Sequence, residues 1–245
     1  MPRITDTVTT ADGSCPVSLH TPDGDGPWPG IVMYPDAGGA RPTFRAMADK
    51  LAELGYAVLV PDVYYRDGDW APFDMTTVFD NEAERTRLFS MMGKITPEVM
   101  ASDAGALFDY LSAQPQVSGD SFGTTGYCMG GRTSVTVAGL VPERVAAAMS
   151  FHGGGLVTDE PNSPHLSADR MRAAVYVGAA KNDRSFTVSD GETLDKALTA
   201  AGVEHTVEFY DAFHGFAVPD NAPYDEPAAR RHWEAMRSFF GSHLG

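Results

Sequence analysis

Gly126-Tyr127-Cys128-Met129-Gly130-Gly131 closes the apolar run Phe122–Tyr127 and opens the helical pattern Gly130–Leu140. A Gly-x-Cys-x-Gly sequence between a strand and a helix predicts a sharp turn that lifts the central side chain out of a sheet. The backbone at such a turn is strained, so the residues two places either side of the cysteine must lack a Cβ. The turn sets the thiol at a helix N-terminus, where the aligned peptide dipoles favour a thiolate and, later, an oxyanion. Cys128 is therefore the candidate nucleophile. A glycine-flanked buried cysteine would read the same in isolation, and the sequence on both sides decides between them.

Outward from this turn the chain alternates strand-like and helix-like segments. Short apolar runs occur at Gly30–Tyr34, Ala57–Val60, Phe122–Tyr127, Val145–Phe151, Ala173–Val177 and Val203–Tyr210. Most are apolar at both parities, as strands covered on both faces are. Helical patterns lie at Thr43–Leu54, Glu98–Ser112, Gly130–Leu140, Thr187–Ala200 and Glu226–His243, with a further helix near Glu82–Met92 in the less regular stretch from Arg66 to Thr96. Ahead of them Thr5–Thr10 and Cys15–Thr21 alternate around the turn residues Ala11-Asp12-Gly13-Ser14, which predicts a hairpin. The expected architecture is a mostly parallel central sheet with helices on both faces, the α/β class. A chain of 245 residues fits one such domain, 1–245.

In α/β-hydrolases the nucleophile, the acid and the histidine follow one another in that chain order. Asp183 comes shortly after the run Ala173–Val177 and is the natural orienter of an imidazole; Asp211, after the last strand, is the serious alternative, while Asp190 and Asp195 sit in or near a helix. His214, in Asp211-Ala-Phe-His214-Gly215, lies in the loop where the base is needed. His205 runs along a strand, and His232 and His243 sit among charged neighbours on the terminal helix, so these three are expected on the surface. His20 falls in the hairpin and His165 in a loop. His152, in Phe151-His-Gly-Gly-Gly155, ends a strand beside the expected pocket and is read as lining it.

The net charge of −15, from 33 acidic and 18 basic residues, argues against nucleic-acid and anionic-membrane partners. The two cysteines, Cys15 and Cys128, form neither a disulfide framework nor a set of zinc ligands, and Cys15 reads as structural. The start of the chain does not resemble a signal peptide, and no run approaches the ~18 apolar residues of a membrane span. Together these point to the reduced cytoplasm.

With those residues in place the chain resembles the dienelactone hydrolase family along nearly its whole length. The resemblance rests on Ile31-Val-Met-Tyr-Pro-Asp36, Gly55-Tyr-Ala-Val-Leu-Val-Pro61-Asp62-Val-Tyr64, Gly126–Gly131, the loop to Asp183, and Ala212-Phe-His214-Gly-Phe216. It implies an α/β-hydrolase fold without a large cap domain, and hydrolysis of a lactone or ester through a thioester. It also implies that the backbone N–H groups of Ala37 and Met129 form an oxyanion hole. Asp36 stands where the family has a glutamate that hydrogen-bonds the resting thiol and helps deprotonate it. Of two arginines that hold a substrate carboxylate in the family, Arg85 aligns with the first, with Arg87 close enough to compete. Val218 replaces the second, which predicts a preference for neutral or less polar substrates.

The expected mechanism has Cys128 attacking the carbonyl, Asp183 orienting His214, and His214 activating water, with no metal or organic cofactor. The nearest rival is a short-chain carboxylesterase on uncharged esters, distinguished by activity on simple aryl esters. A non-catalytic hydrolase-fold binding protein would acylate once without release. A thiol redox protein would need a second, resolving cysteine, which the sequence does not supply.

Overall fold

The computed structural model describes residues 1–244. An eight-stranded sheet is built from β1 (Arg3–Thr10), β2 (Gly13–His20), β3 (Trp28–Tyr34), β4 (Ala57–Pro61), β5 (Val117–Tyr127), β6 (Val145–Phe151), β7 (Ala174–Asn182) and β8 (His205–Phe213), in the order β1-β2-β4-β3-β5-β6-β7-β8. The hairpin β1–β2 joins β4 antiparallel, and every pairing from β4 through β8 is parallel. Among the described residues six α-helices accompany it: α1 (Pro42–Ala52), α2 (Glu82–Met92), α3 (Pro97–Ser112), α4 (Met129–Leu140), α5 (Val188–Ala201) and α6 (Glu226–His243). This is the mostly parallel, doubly covered sheet that the alternation of segments predicts.

Side-chain parity explains the layering. In β3, Val32 and Tyr34 join a core containing Leu107, Phe108, Val135 and Leu194 from α3, α4 and α5. Ile31 and Met33 point the other way, into a core with Phe44, Leu51, Met236 and Phe240 from α1 and α6. Full burial of one such side chain contributes ~1.5–3 kcal/mol, and a strand buried on both faces carries that gain at every position. Helix starts are set locally: Thr96, Thr187 and Asp225 cap α3, α5 and α6 through their side-chain oxygens, with a complete capping box at Thr187 and Asp190.

Two strands run further than their apolar runs. β7 continues to Asn182 and β8 to Phe213 because the parallel ladder between them persists through Ala179↔Phe209, Ala180↔Tyr210 and Asn182↔Phe213. That extension carries Asp183 and His214 to the same edge of the sheet. The irregular stretch after β4 forms a third, smaller core of Tyr64, Phe73, Val78, Leu88 and Met91 against Ala37 and Met129, so it packs directly on the site. Among the described residues no helix is long and apolar enough to cross a membrane.

His232 corrects a sequence expectation. It is fully buried rather than on the surface, because α6 turns this face onto the sheet. Its Nδ1 contacts the Ala229 carbonyl at 2.7 Å, and its Nε2 lies 3.1 Å from the Tyr127 hydroxyl. His20 is buried as well, between Asp49 and Ser18. His205 and His243 are half-buried, next to Asp195 and Glu204 respectively.

Candidate active site

Cys128 follows β5 and caps α4 with φ 53° and ψ −116°. It is one of two non-glycine residues with positive φ among the described residues, a region that costs an L-residue energy and persists only where the surroundings impose it. The glycines beside it are obligatory by contact. A Cβ on Gly126 would stand 2.0 Å from the Gly130 carbonyl oxygen, and one on Gly130 would stand 2.2 Å from that of Tyr34.

Asp183 and His214 meet across the ends of β7 and β8. Nδ1 of His214 lies 2.5 Å from Oδ2 of Asp183, whose Oδ1 accepts hydrogen bonds from the backbone and hydroxyl of Ser185 at 2.8 and 2.7 Å. Burial opposes the charge on Asp183, but hydrogen bonds from His214 and Ser185 outweigh it and hold the carboxyl below its usual range. Burial likewise opposes the imidazolium of His214, yet the Asp183 carboxylate and hydrogen bonding to Cys128 push it up to about 10. Asp211, the alternative acid, is exposed and stands 3.9 Å from Lys181. Cys15 is remote from all this: burial, then the nearby carboxylates of Asp103 and Asp62, raise its thiol to about 12 and leave it inert at neutral pH.

The loop after β3 supplies Ala37, whose N–H has no backbone acceptor among the described residues, while Met129 holds the first, unpaired N–H of α4. The Tyr64 hydroxyl donates to the Ala37 carbonyl at 2.8 Å and touches Met129 Sδ at 3.6 Å, tying the two groups together. Tyr64 closes the run Gly55–Tyr64, and nothing in the spacing of that run marks it as a brace.

Asp36 is buried and fully engaged. Its carboxylate accepts from Gly38 N at 2.9 Å, from Arg41 at 2.5 and 3.0 Å, and from Asn221 Nδ2 at 3.1 Å. Arg41 turns its other edge to Asp220 at 2.7 and 2.8 Å. These bonds join the Ala37 loop to the loop following His214. Asp36 has no hydrogen bond to Cys128 among the described residues.

Two cavities meet at Cys128 and His214, both also bordered by Ala37 and Phe79. One, of about 530 Å³, continues along Phe89, Met92, Ile95, Met100 and Met129 to Arg132, Arg184 and the Gly154-Gly155 turn. The other, of about 350 Å³, is bordered by Asp36, Met75, Asn221 and Pro223. Three residues expected at the substrate border neither cavity. Arg85 donates to the Phe79 carbonyl at 2.8 Å, and Val218 is fully buried in the core shared with α6. His152, 1% exposed with φ 39°, packs behind His214 at 5.2 Å between ring centres. Arg87 bonds Glu84 and lies over the Phe73 ring. The reasons are local: α2 directs Arg85 and Arg87 to its own neighbours, the loop after β8 turns Val218 into the core, and the end of β6 sets His152 behind His214. The apolar walls from Phe79 to Met100 carry no motif in the sequence, and the arginine on α4 follows the Gly126–Gly131 motif without being part of it.

Among described residues no cluster of histidine, cysteine and acidic side chains has the arrangement of a metal site. A family model described as the dienelactone hydrolase family matches residues 16–244. A carboxymethylenebutenolidase from Rhodococcus opacus is 26% identical over 238 residues, covering 95% of this chain and 88% of that protein. A solved structure named m3DLH superposes with a TM-score of 0.83 at 26% identity, covering 100% of this chain and 99% of that one. A dienelactone hydrolase-like promiscuous phosphotriesterase from metagenomic libraries superposes at 0.80, also with 26% identity and full coverage of both chains. The fold is that of the α/β-hydrolases.

Proposed function

The chain belongs to the dienelactone hydrolase family and is a hydrolase of ester or lactone bonds, and from that premise we propose that it works by covalent catalysis through Cys128, with Asp183 and His214 as its partners. The observation that carries this reading is the Cys128 turn, facing an imidazole that Asp183 holds at 2.5 Å and opening onto two cavities.

In this mechanism the Cys128 thiolate attacks the carbonyl carbon, and the carbonyl π pair moves to oxygen. The N–H groups of Ala37 and Met129 stabilise that oxyanion. Collapse restores the carbonyl and breaks the C–O bond, and the departing alkoxide takes the proton of the His214 imidazolium. For a lactone the alcohol stays tethered to the thioester. Neutral His214 then removes a proton from water, the hydroxide adds to the thioester, and the thiolate leaves as the acid forms. No metal or organic cofactor enters any step. The two cavities that share Cys128 offer separate room for the acyl and alcohol portions.

Open-chain esters are as good candidates as lactones, since neither Arg85 nor Val218 borders the cavities and the larger one has apolar walls. A free thiol nucleophile suits the reduced cytoplasm, which is where we assign the protein. The test is Cys128→Ala, assayed on p-nitrophenyl butyrate and a butenolide with circular dichroism as the folding control. Loss of turnover in a folded variant supports the reading. Retained turnover would require another nucleophile and overturn it.

A further inference from the structure

We propose that Arg132 is the anion-binding end of the substrate site, and that the favoured acyl group carries a carboxylate a short carbon chain from the scissile carbonyl. The proposal rests on the hydrolase mechanism above and deepens it to a substrate class, half-esters of short dicarboxylic acids. It places recognition on α4, away from the positions of Arg85 and Val218.

Arg132 is half-buried in the wall of the cavity that also contains Cys128 and His214. Its guanidinium has neither a salt bridge nor a side-chain hydrogen bond among the described residues, and burial alone lowers its pKa. Other sheltered arginines are treated differently. Arg41 is flanked by Asp36 and Asp220, and Arg66 by Asp12 and Asp103. Even half-buried, a cation without a counter-charge is partly desolvated with no compensating pair.

Its position adds to that cost. Arg132 lies in the first turn of α4, where the helix dipole disfavours a cation. In a protein of net charge −15, this cavity has two arginines, Arg132 and exposed Arg184, and only one acid. That acid is Asp183, already committed to His214. An incoming carboxylate therefore meets a donor fork with no competing partner, the arrangement suited to bidentate pairing.

The shared cavity bounds the size of the acyl group. Cys128 precedes α4 with non-helical backbone angles, whereas Arg132 lies within the helix, and both border the same cavity of about 530 Å³. A carbonyl on the sulfur and a carboxylate on the guanidinium must both fit inside it, which favours a short chain between them.

The test compares mono-p-nitrophenyl glutarate with its methyl ester in wild type, Arg132→Met and Arg132→Lys. The ratio of kcat/KM for free acid over methyl ester is read within each protein, so partial misfolding cancels. Wild type should favour the free acid by about tenfold or more, Met should bring the ratio near unity, and Lys should retain part of it. An equal ratio in wild type and Arg132→Met overturns the proposal. A second measurement titrates monomethyl glutarate into Cys128→Ala with and without Arg132→Met. Binding that depends on Arg132 supports the anion site even if no ester is turned over, a result that would instead overturn the hydrolase mechanism. Binding that ignores Arg132 sinks the anion site alone.

Discussion

Replacing His232 with phenylalanine should make the protein markedly less sensitive to acid. The imidazole sits among Tyr127, Phe151 and Trp233, with no exposure to solvent. Burial, opposed only by the Ala229 carbonyl, lowers its pKa to about 3 from an ordinary 6.5. A depressed folded-state pKa contributes stability that is intact above pH 6.5 and is lost as pH falls toward 3, because the unfolded chain takes the proton first. At pH 4 the unfolded histidine is protonated and the folded one is not. Over those ~2.5 pH units, at ~1.4 kcal/mol each, the loss is about 3 kcal/mol. Against a typical stability of ~5–15 kcal/mol that is a large share. Phenylalanine keeps the ring contacts but leaves the Tyr127 hydroxyl without its nitrogen acceptor, a cost of about 1–3 kcal/mol that does not vary with pH. Urea unfolding followed by circular dichroism at pH 7 and pH 4 gives the double difference. Wild type should lose about 3 kcal/mol more than the variant between these pH values. Equal losses would refute the assignment of His232 as a buried, neutral acid trigger beneath the Cys128 turn.

Asp183→Asn should lower kcat by two or more orders of magnitude, on the order of the effect in other triads, while Asp211→Asn should change it by less than about twofold; steady-state kinetics with one aryl ester decide, and the reverse ranking moves the acid to Asp211. The same Asp183→Asn variant should differ most from wild type in Tm near pH 6 and converge on it toward pH 10. A raised His214 pKa of about 10 stabilises the fold fully below pH 6.5 and ceases to do so as pH passes through the folded value, so parallel Tm curves would contradict the ion pair. Arg41→Met should cost about 3–5 kcal/mol by leaving buried Asp36 without its cation. Adding Asp36→Asn should recover part of that loss in thermal unfolding, and no recovery would show that Arg41 acts through packing instead.

The sheet was legible because its strands are apolar at both parities and its helices are separated by capping residues such as Thr96 and Thr187. The strand-turn-helix around Cys128 was legible too, since steric necessity leaves glycine as the only residue at positions 126 and 130. Strand ends were less so: β7 and β8 extend through polar residues because ladder hydrogen bonds, not hydrophobicity, hold those positions. Side-chain direction was least legible. His232 looked exposed from its charged neighbours Arg231 and Glu234, yet helical periodicity turns it inward. Alignment brought Arg85 and Val218 forward, but the structure directs both away from the cavities. Arg132, four residues after the cysteine, could have been noticed as a cation at the wrong end of a helix.

The central claim is that acyl transfer passes through the sulfur of Cys128. The direct measurement is rapid acid quench of the protein with a slowly hydrolysed ester, followed by peptide mass spectrometry. Acylation at sulfur predicts an acyl mass increment on the peptide containing Cys128 that forms with the burst of alcohol, disappears as turnover completes, and is discharged by neutral hydroxylamine as a thioester would be. An increment on any other residue, or turnover with Cys128 unmodified at every quench time, would contradict it.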